Sequence, residues 1–351
     1  MGKLATLRVI RQIDTIPDAD NIVAAWVDGW VCIVKKGEFQ VDDVVLYVEI
    51  DNLLPINNPM FSFLATRGTK TIEGVEYHRL RSLKLRKYPS QGLLLPLEPF
   101  ETQGLTFQPH DYDKCYAEEL GIIRWDPEIH QPGGARLAGN ALRTFPSNMV
   151  PKTDQPRIQN FPNLLYEDGT FESTIKMEGS SMTVYYNVND EHVYGVCSRN
   201  NQLKLDDPIN TDNAFVKTAL QYDLQTKLTQ LGKNIALSGE LMGPGIQNNI
   251  ENFATNRFFV YDVWDINNQR YFLPKDRREL VAQLGLEHVP VLDEEFVIKG
   301  KDLQDMLLYA EGPSLHASQR EGVVLKSNTY NCWNSVTSAK IISNRYLLKQ
   351  K

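Results

Sequence analysis

The nine residues TIKMEGSSM run from Thr174 to Met182. Two residues suited to a strand, Thr174 and Ile175, lead into Lys176, and after Met177 come an acid, a glycine and two serines. Such a lysine is either a solvated cation at a strand end or a nucleophile. The second role needs a neutral amine, although the ordinary pKa is ~10.4, so burial or nearby cations must depress it. Alone, the pattern is common. Here an ordered series follows it: CSRN with Arg199, SGEL with Glu240, RFFVYDV with Phe259, Tyr261 and Asp262, REGVVLK with Glu321 and Lys326, and SAKIISNRYLLK with Lys340. Taken singly, Phe259 and Tyr261 read as sheet core, Glu240 and Glu321 as solvated acids, and Lys340 as a surface cation. Asp262 falls on the strand face opposite Tyr261, which suggests a structural role. The six histidines show no metal-ligand spacing.

These residues need a scaffold. From about residue 165 strand and helix patterns mix. NIALSGELMG, RFFVYDVWD and EGVVLKS read as strands, and SAKIISNRYLL as a closing strand. KDRRELVAQLGL and GKDLQDMLLYAE read as helices. Phe215, Ala219, Leu220, Leu224, Leu228 and Leu231 space as one amphipathic helix, with Asp212 or Asn213 at its N-cap. Residues 1–98 read instead as short strands with turn punctuation, including a hairpin at Asp28-Gly29. Five or so strands without a helix suggest a small OB-type barrel. Residues 67–88 hold Arg67, Lys70, Arg79, Arg81, Lys84, Arg86 and Lys87 against two acids. As one strand, HRLRSLKLRKY puts Arg79, Arg81, Leu83, Leu85 and Lys87 on one face. That face is either a guarded sheet edge or a surface that tracks a nucleic-acid backbone. Residues 100–165 are punctuated by Pro109, Pro132, Gly133 and Gly134 among others. Residues 152–160, KTDQPRIQN, either cap a helix or line a ligand pocket.

Bulk properties set limits. A chain of 351 residues has a prior of two domains. A net charge of −7 means that a polyanion must be met by a local patch. Four scattered cysteines without a CxxC pair read as reduced thiols, hence an intracellular, reducing compartment, cytoplasm or nucleus with an organelle left open. No apolar run approaches the ~18 residues of a membrane span, and the N-terminus carries no signal-peptide pattern.

The ordered series resembles the covalent nucleotidyltransferase superfamily of polynucleotide ligases and mRNA capping enzymes. More closely, it is similar to the ATP-dependent RNA ligases that carry an N-terminal OB module and seal nicks in duplex RNA. The stretches IPDADNIVAAWVDGWVCIVKKGEFQVDDVVLYVEIDNLLP and RLRSLKLRKYPSQGLLLPL resemble that module, so the likeness covers most of the chain. An OB domain placed first favours RNA ligases over DNA ligases and capping enzymes.

The resemblance implies roles. Lys176 is the nucleophile that becomes lysyl-AMP. Glu178 matches the acid of the first motif and touches the ribose, and Gly179 lets the backbone turn beneath the nucleotide. Arg199 binds ribose or the incoming 5′-phosphate. Tyr261 stacks on adenine, with Phe259 next on the same face. Glu240 and Glu321 hold a ribose hydroxyl or position the metal through water, as suits Mg²⁺ or Mn²⁺, one ion or two. Lys326 and Lys340 grip the α-phosphate. Three departures stand out. Glu178 replaces the commoner aspartate. Lys340-Ile341-Ile342 offers one lysine where a lysine-x-lysine pair is common. Glu321 and Lys326, five apart, fall on opposite faces of a straight strand, so one must sit at a strand end or bulge.

The expectation is an α+β protein, with an OB domain at 1–100, a connector at 101–114 and a nucleotidyltransferase domain at 115–351. Its substrates are ATP and nicked duplex RNA or an RNA/DNA hybrid, and it works as a monomer without a membrane or protein partner. The alternatives are an RNA-capping guanylyltransferase, a DNA ligase, and a non-catalytic RNA-binding protein on a ligase scaffold.

Overall fold

The computed structural model describes residues 4–86, 88–108, 111–130, 140–206 and 212–349. Lys87, Pro109, Pro132, Gly133 and Gly134 lie outside them. The chain forms two compact units: Met1–His130 with Leu347–Lys351, and Gln131–Tyr346.

The first unit is built on β1 (Ala5–Thr15), β2 (Ile22–Val27), β3 (Trp30–Lys35), β4 (Val44–Val48), β5 (Asn52–Pro55), β6 (Lys70–Ile72), β7 (Val75–Arg79), β8 (Leu83–Leu85), β9 (Tyr88–Ser90), β10 (Leu93–Leu95) and β11 (Ile123–Arg124). Five strands run in the order β10-β4-β1-β2-β3. β1 pairs β4 through its first half and β2 through its second, with a register shift between Ile10 and Gln12. That shift bends the long strand around the barrel. The edges approach where Gln91 N–H donates to the Val31 carbonyl at 2.7 Å. The hairpin expected at Asp28-Gly29 is present, and Asp28 takes φ 49°.

Two expectations shift here. The basic stretch is not one strand: Leu80, Arg81 and Ser82 separate β7 from β8. Arg79 then turns to Asp51 at 2.8 Å and, with Lys70, lies 4.7 Å from the centre of the Trp125 ring. The division between units also falls later than the expected connector. Leu105, Phe107, Tyr116, Ala117, Leu120 and Ile122 share a core with Ala5, Leu7 and Leu46, so the segment after residue 100 is part of the barrel's packing.

The second unit adds β12 (Ala141–Thr144), β13 (Phe171–Lys176), β14 (Ser180–Tyr186), β15 (Tyr194–Cys197), β16 (Asn201–Leu203), β17 (Ile235–Met242), β18 (Arg257–Asp265), β19 (Arg270–Tyr271), β20 (Glu287–His288), β21 (Val291–Phe296), β22 (Gly322–Tyr330) and β23 (Val336–Ile342). One sheet runs β12-β16-β15-β14-β17-β18-β19, with β20 also on β18; the other runs β21-β13-β22-β23. Helices Ala214–Gln221, Leu224–Leu231 and Pro274–Gln283 cover the larger sheet through Phe215, Leu224, Leu228 and Val281. Helix Leu303–Tyr309 covers the smaller through Met306 and Leu307. Ile175 and Met177 of the small sheet's strand end pack on Met242 and Phe259 of the large sheet. This contact fixes the spacing of the cleft between them.

The amphipathic segment after Asn213 is two helices rather than one. Asn213 caps the first through Phe215 and Val216 N–H, and Asp223, at φ 50°, breaks the run. The closing stretch also splits: β23 ends at Ile342, and Asn344–Lys349 is helical rather than extended.

Candidate active site

Lys176 is the last residue of β13, and β13 is an interior strand of the small sheet. Its register partner is Gly322, and Glu321 immediately precedes β22. Glu321 is thus the residue at a strand end, which is why it and Lys326 need not share a parity. Lys176 Nζ lies 2.7 Å from Glu321 Oε2. A Cβ on Gly322 would come within 2.1 Å of the Ile341 carbonyl, so only glycine lets β23 close on β22 here. Glu240 of β17 is the second acid. Gly179 N–H donates to its carboxylate. Gly179 is required for close approach rather than for a left-handed turn: a Cβ would sit 2.4 Å from the Leu241 carbonyl and 2.9 Å from Glu240 Cγ.

The charges are coupled. Burial pushes the Lys176 ammonium down, but Glu321 and Glu240 outweigh it, and its pKa lies above the ordinary value. Burial raises Glu240 to about 7, against the pull of Lys176 and with the push of Glu321. In this state Lys176 is held as a cation between two acids.

Cationic side chains come from both sheets. Lys340 of β23 shares a face with Lys176, because Val324 pairs both with Thr174 of β13 and with Lys340. Its Nζ donates to Asp154 Oδ1 at 2.8 Å, and Arg199 Nη2, beyond β15, lies 3.6 Å from Asp154 Oδ2. Burial lowers the Lys340 pKa in spite of Asp154.

The aromatic element depends on a bulge. β17 and β18 pair Ser238 with Asp262 but Gly239 with Val260, leaving Tyr261 as an extra residue. A bulge re-aims side chains. Here Tyr261 and Asp262 both turn into the cleft, against the simple alternation that separated them. The Tyr261 hydroxyl bonds with Thr153 Oγ1 and with Ser181 Oγ, both at 2.9 Å, and Asp262 takes Lys326 Nζ at 2.5 Å. Residues 152–157 therefore line the pocket as a strap. Thr153 reaches Tyr261, Asp154 reaches Lys340 and Arg199, and Arg157 runs as a parallel bridge beside Lys340.

The cleft has known counterparts. A family model described as RNA ligase matches residues 169–342, and one described as an OB-fold domain matches residues 4–97. The solved structure of Naegleria gruberi RNA ligase with pyrophosphate is 35% identical, over 99% of this chain and 98% of that one, with a TM-score of 0.85. The chain belongs to the RNA ligase family. A lysine mutant of the Naegleria enzyme solved with ATP and manganese also matches at 35% identity, over 98% of each chain, with a TM-score of 0.86. A glutamate mutant with AMP and manganese matches at the same identity and TM-score, over 99% of this chain and 98% of that one. No curated protein matches. The first unit is accordingly an OB-fold domain and the second an α+β ligase domain.

Around Lys176 the ligase gathers Glu240, Glu321 and Gly179, with Arg199 and Lys340 joined through Asp154. Glu178 stands at the rim, where Oε1 accepts from Asn248 at 2.8 Å. Two expected residues lie deeper. Phe259 is 4% exposed and stacks on Phe253 with ring centres 5.7 Å apart, as core. Lys326 faces the same cleft as Lys176 but pairs with Glu172, four residues back along β13, about 13 Å at strand rise. Its Nζ donates to the Tyr261 carbonyl and to Asp262. Thr153 and Asp154 carried no periodic signal, and the polar density of residues 152–160 was their one trace in the sequence; Ser181 is one of the two serines after Gly179.

Proposed function

We propose that this ligase seals 3′-hydroxyl/5′-phosphate nicks in duplex RNA at the expense of ATP. The observation that carries the reading is the half-buried Lys176, 2.7 Å from Glu321 and within the field of Glu240, in an RNA ligase domain. The Naegleria structures with ATP and with AMP support the nucleotide as adenosine.

In the first step the Lys176 amine attacks the α-phosphorus. A P–N bond forms, the bond to the bridging oxygen breaks, pyrophosphate leaves, and the amine loses its proton. In the second step a 5′-phosphate oxygen of the RNA attacks that phosphorus. The P–N bond breaks, the proton returns to Lys176, and AMP is joined to the RNA. In the third step the 3′-hydroxyl attacks the 5′-phosphate, AMP leaves, and the hydroxyl proton is released.

Tyr261 offers its ring to the base, held at the hydroxyl by Thr153 and Ser181. Lys340 and Arg199, freed from Asp154, meet the phosphates. The donor set suits a divalent cation that keeps much of its water. Glu240 and Glu321 are two converging acids, and no group of three or more His, Cys, Asp or Glu is found among the described residues. When bound, Mg²⁺ or Mn²⁺ supplies the positive potential that favours the neutral amine and draws charge from the α-phosphate.

The protein incubated with α-labelled ATP and Mg²⁺ or Mn²⁺ is expected to carry covalent label, which Lys176→Ala abolishes. An unlabelled wild type overturns the reading. Label from GTP in preference would make it a capping enzyme instead. Nicked duplexes with RNA or DNA on the 3′-hydroxyl side test the finer claim.

A further inference from the structure

The back of the cleft holds a charged cluster that the three steps do not use. Lys326 is 4% exposed. From β22 its Nζ crosses to the large sheet and donates to the Tyr261 carbonyl at 2.6 Å and to Asp262 Oδ1 at 2.5 Å. It lies 5.5 Å from the centre of the Tyr261 ring. Tyr261 is the extra residue of the β17–β18 bulge, where the ladder is interrupted. Lys326 supplies a donor to the Tyr261 carbonyl at that interruption.

The cluster behind Lys326 keeps it there. Its register partner Glu172 is fully buried and takes both Arg277 and Arg278. Arg277 lies 3.8 Å from Asp262, and Arg278 also reaches Glu294 at 2.6 Å. Arg277 Nε donates to His288 Nε2 at 3.0 Å, so the proton of the neutral ring is on Nδ1, which donates to the Val289 carbonyl at 2.6 Å. Each acid is matched by a cation, and the ammonium is directed at Tyr261 and Asp262.

We propose that Lys326 is a positioning residue: a buried strut from the small sheet to the bulge, fixing Tyr261 as the platform on which the purine of the nucleotide stacks. The proposal rests on the nucleotidyl-transfer reading above. It differs from a phosphate grip in what it predicts. A strut acting through the base platform changes nucleotide affinity. A phosphate ligand changes the rate of the chemical step.

The test is lysyl-AMP formation in single turnover across a range of ATP concentrations, on the full chain. Lys326→Met is expected to raise the half-saturating ATP by about 10-fold or more while the limiting rate stays within a few-fold. Because Lys326→Met strands Asp262, the double variant Lys326→Met/Asp262→Asn, which removes both charges, guards against misfolding. It is expected to fold, to keep the limiting rate, and to recover part of the affinity. A limiting rate that collapses by about 100-fold or more in both variants, with half-saturation unchanged, overturns the strut and restores the phosphate grip. Affinity and rate both unchanged in the double variant overturn it as well. A wild type that takes no label removes the nucleotidyl-transfer reading itself, and the strut's purpose with it, whereas a labelled wild type confines any failure to Lys326.

Discussion

Lys176 and Lys326 stand on one face of one sheet, each within 2.7 Å of a carboxylate, yet they titrate in opposite directions. Burial depresses both. At Lys176 two acids, Glu321 and Glu240, overcome it. At Lys326 burial wins: Asp262 pulls upward but Arg277 pushes back, and the pKa falls to about 8. The local charge count, more than depth, decides which lysine gives up its proton more readily. Around Lys176 two acids face one lysine, an arrangement that an incoming cation can alter. The back is neutralised and closed.

Substitution should separate the two ends. The largest effect is expected at Lys176: Lys176→Met removes covalent labelling altogether, while Lys326→Met retains it at high ATP. Stability should show the reverse order. Lys326→Met breaks a buried pair and is expected to cost about 3–5 kcal/mol in urea unfolding, with the double variant Lys326→Met/Asp262→Asn costing less. Lys176→Met, beside two acids at a half-open site, is expected to cost much less. Glu321→Gln should slow lysyl-AMP formation by about 100-fold at a given metal concentration, because it removes one of the two acids that would hold the divalent cation.

The smallest effect lies in the pH dependence of stability. Glu240 binds its proton up to about pH 7 in the fold, against 4.5 ordinarily, so the folded state holds the proton longer. Its contribution is present below pH 4.5 and is lost as the pH rises towards 7. Glu240→Gln should flatten that decline in a series of thermal melts. Above pH 8 the two lysines pull apart. The unfolded chain binds the Lys326 proton up to about 10.5, so this lysine makes stability rise from about pH 8 to 10.5. The raised Lys176 contributes stability present below its ordinary value and lost as pH rises through its higher folded one. A Lys326→Met melt series without the rise would confirm the split.

Much of the front was legible because its motifs are local: Lys176, Glu240, Glu321 and Lys340 each sit in a short recognisable run. The back was not. The burial of Lys326 depends on a one-residue bulge at Tyr261, and simple alternation put Asp262 on the wrong face. Asp154 meets Lys340 across 186 residues of chain, a pairing that no window of periodicity contains. In the first unit, alternation carried the basic strand through Leu80–Ser82, where the strand in fact ends. Both helix errors came from turns that hydrophobic spacing alone does not mark, at Asp223 and after Ile342.

The register of β22 also bears on which insertions the fold can absorb. Its pairing with β23 is continuous from Gly322 to Lys326 and shifts before Tyr330. A residue gained in the turn at 331–335 extends a loop and leaves every functional side chain in place. The same residue gained between Glu321 and Lys326 would rotate one end of the strand by half a pleat, turning either the acid beside Lys176 or the strut under Tyr261 out of the cleft. Length variation among natural relatives should therefore gather at the tip of this hairpin and be absent from its base.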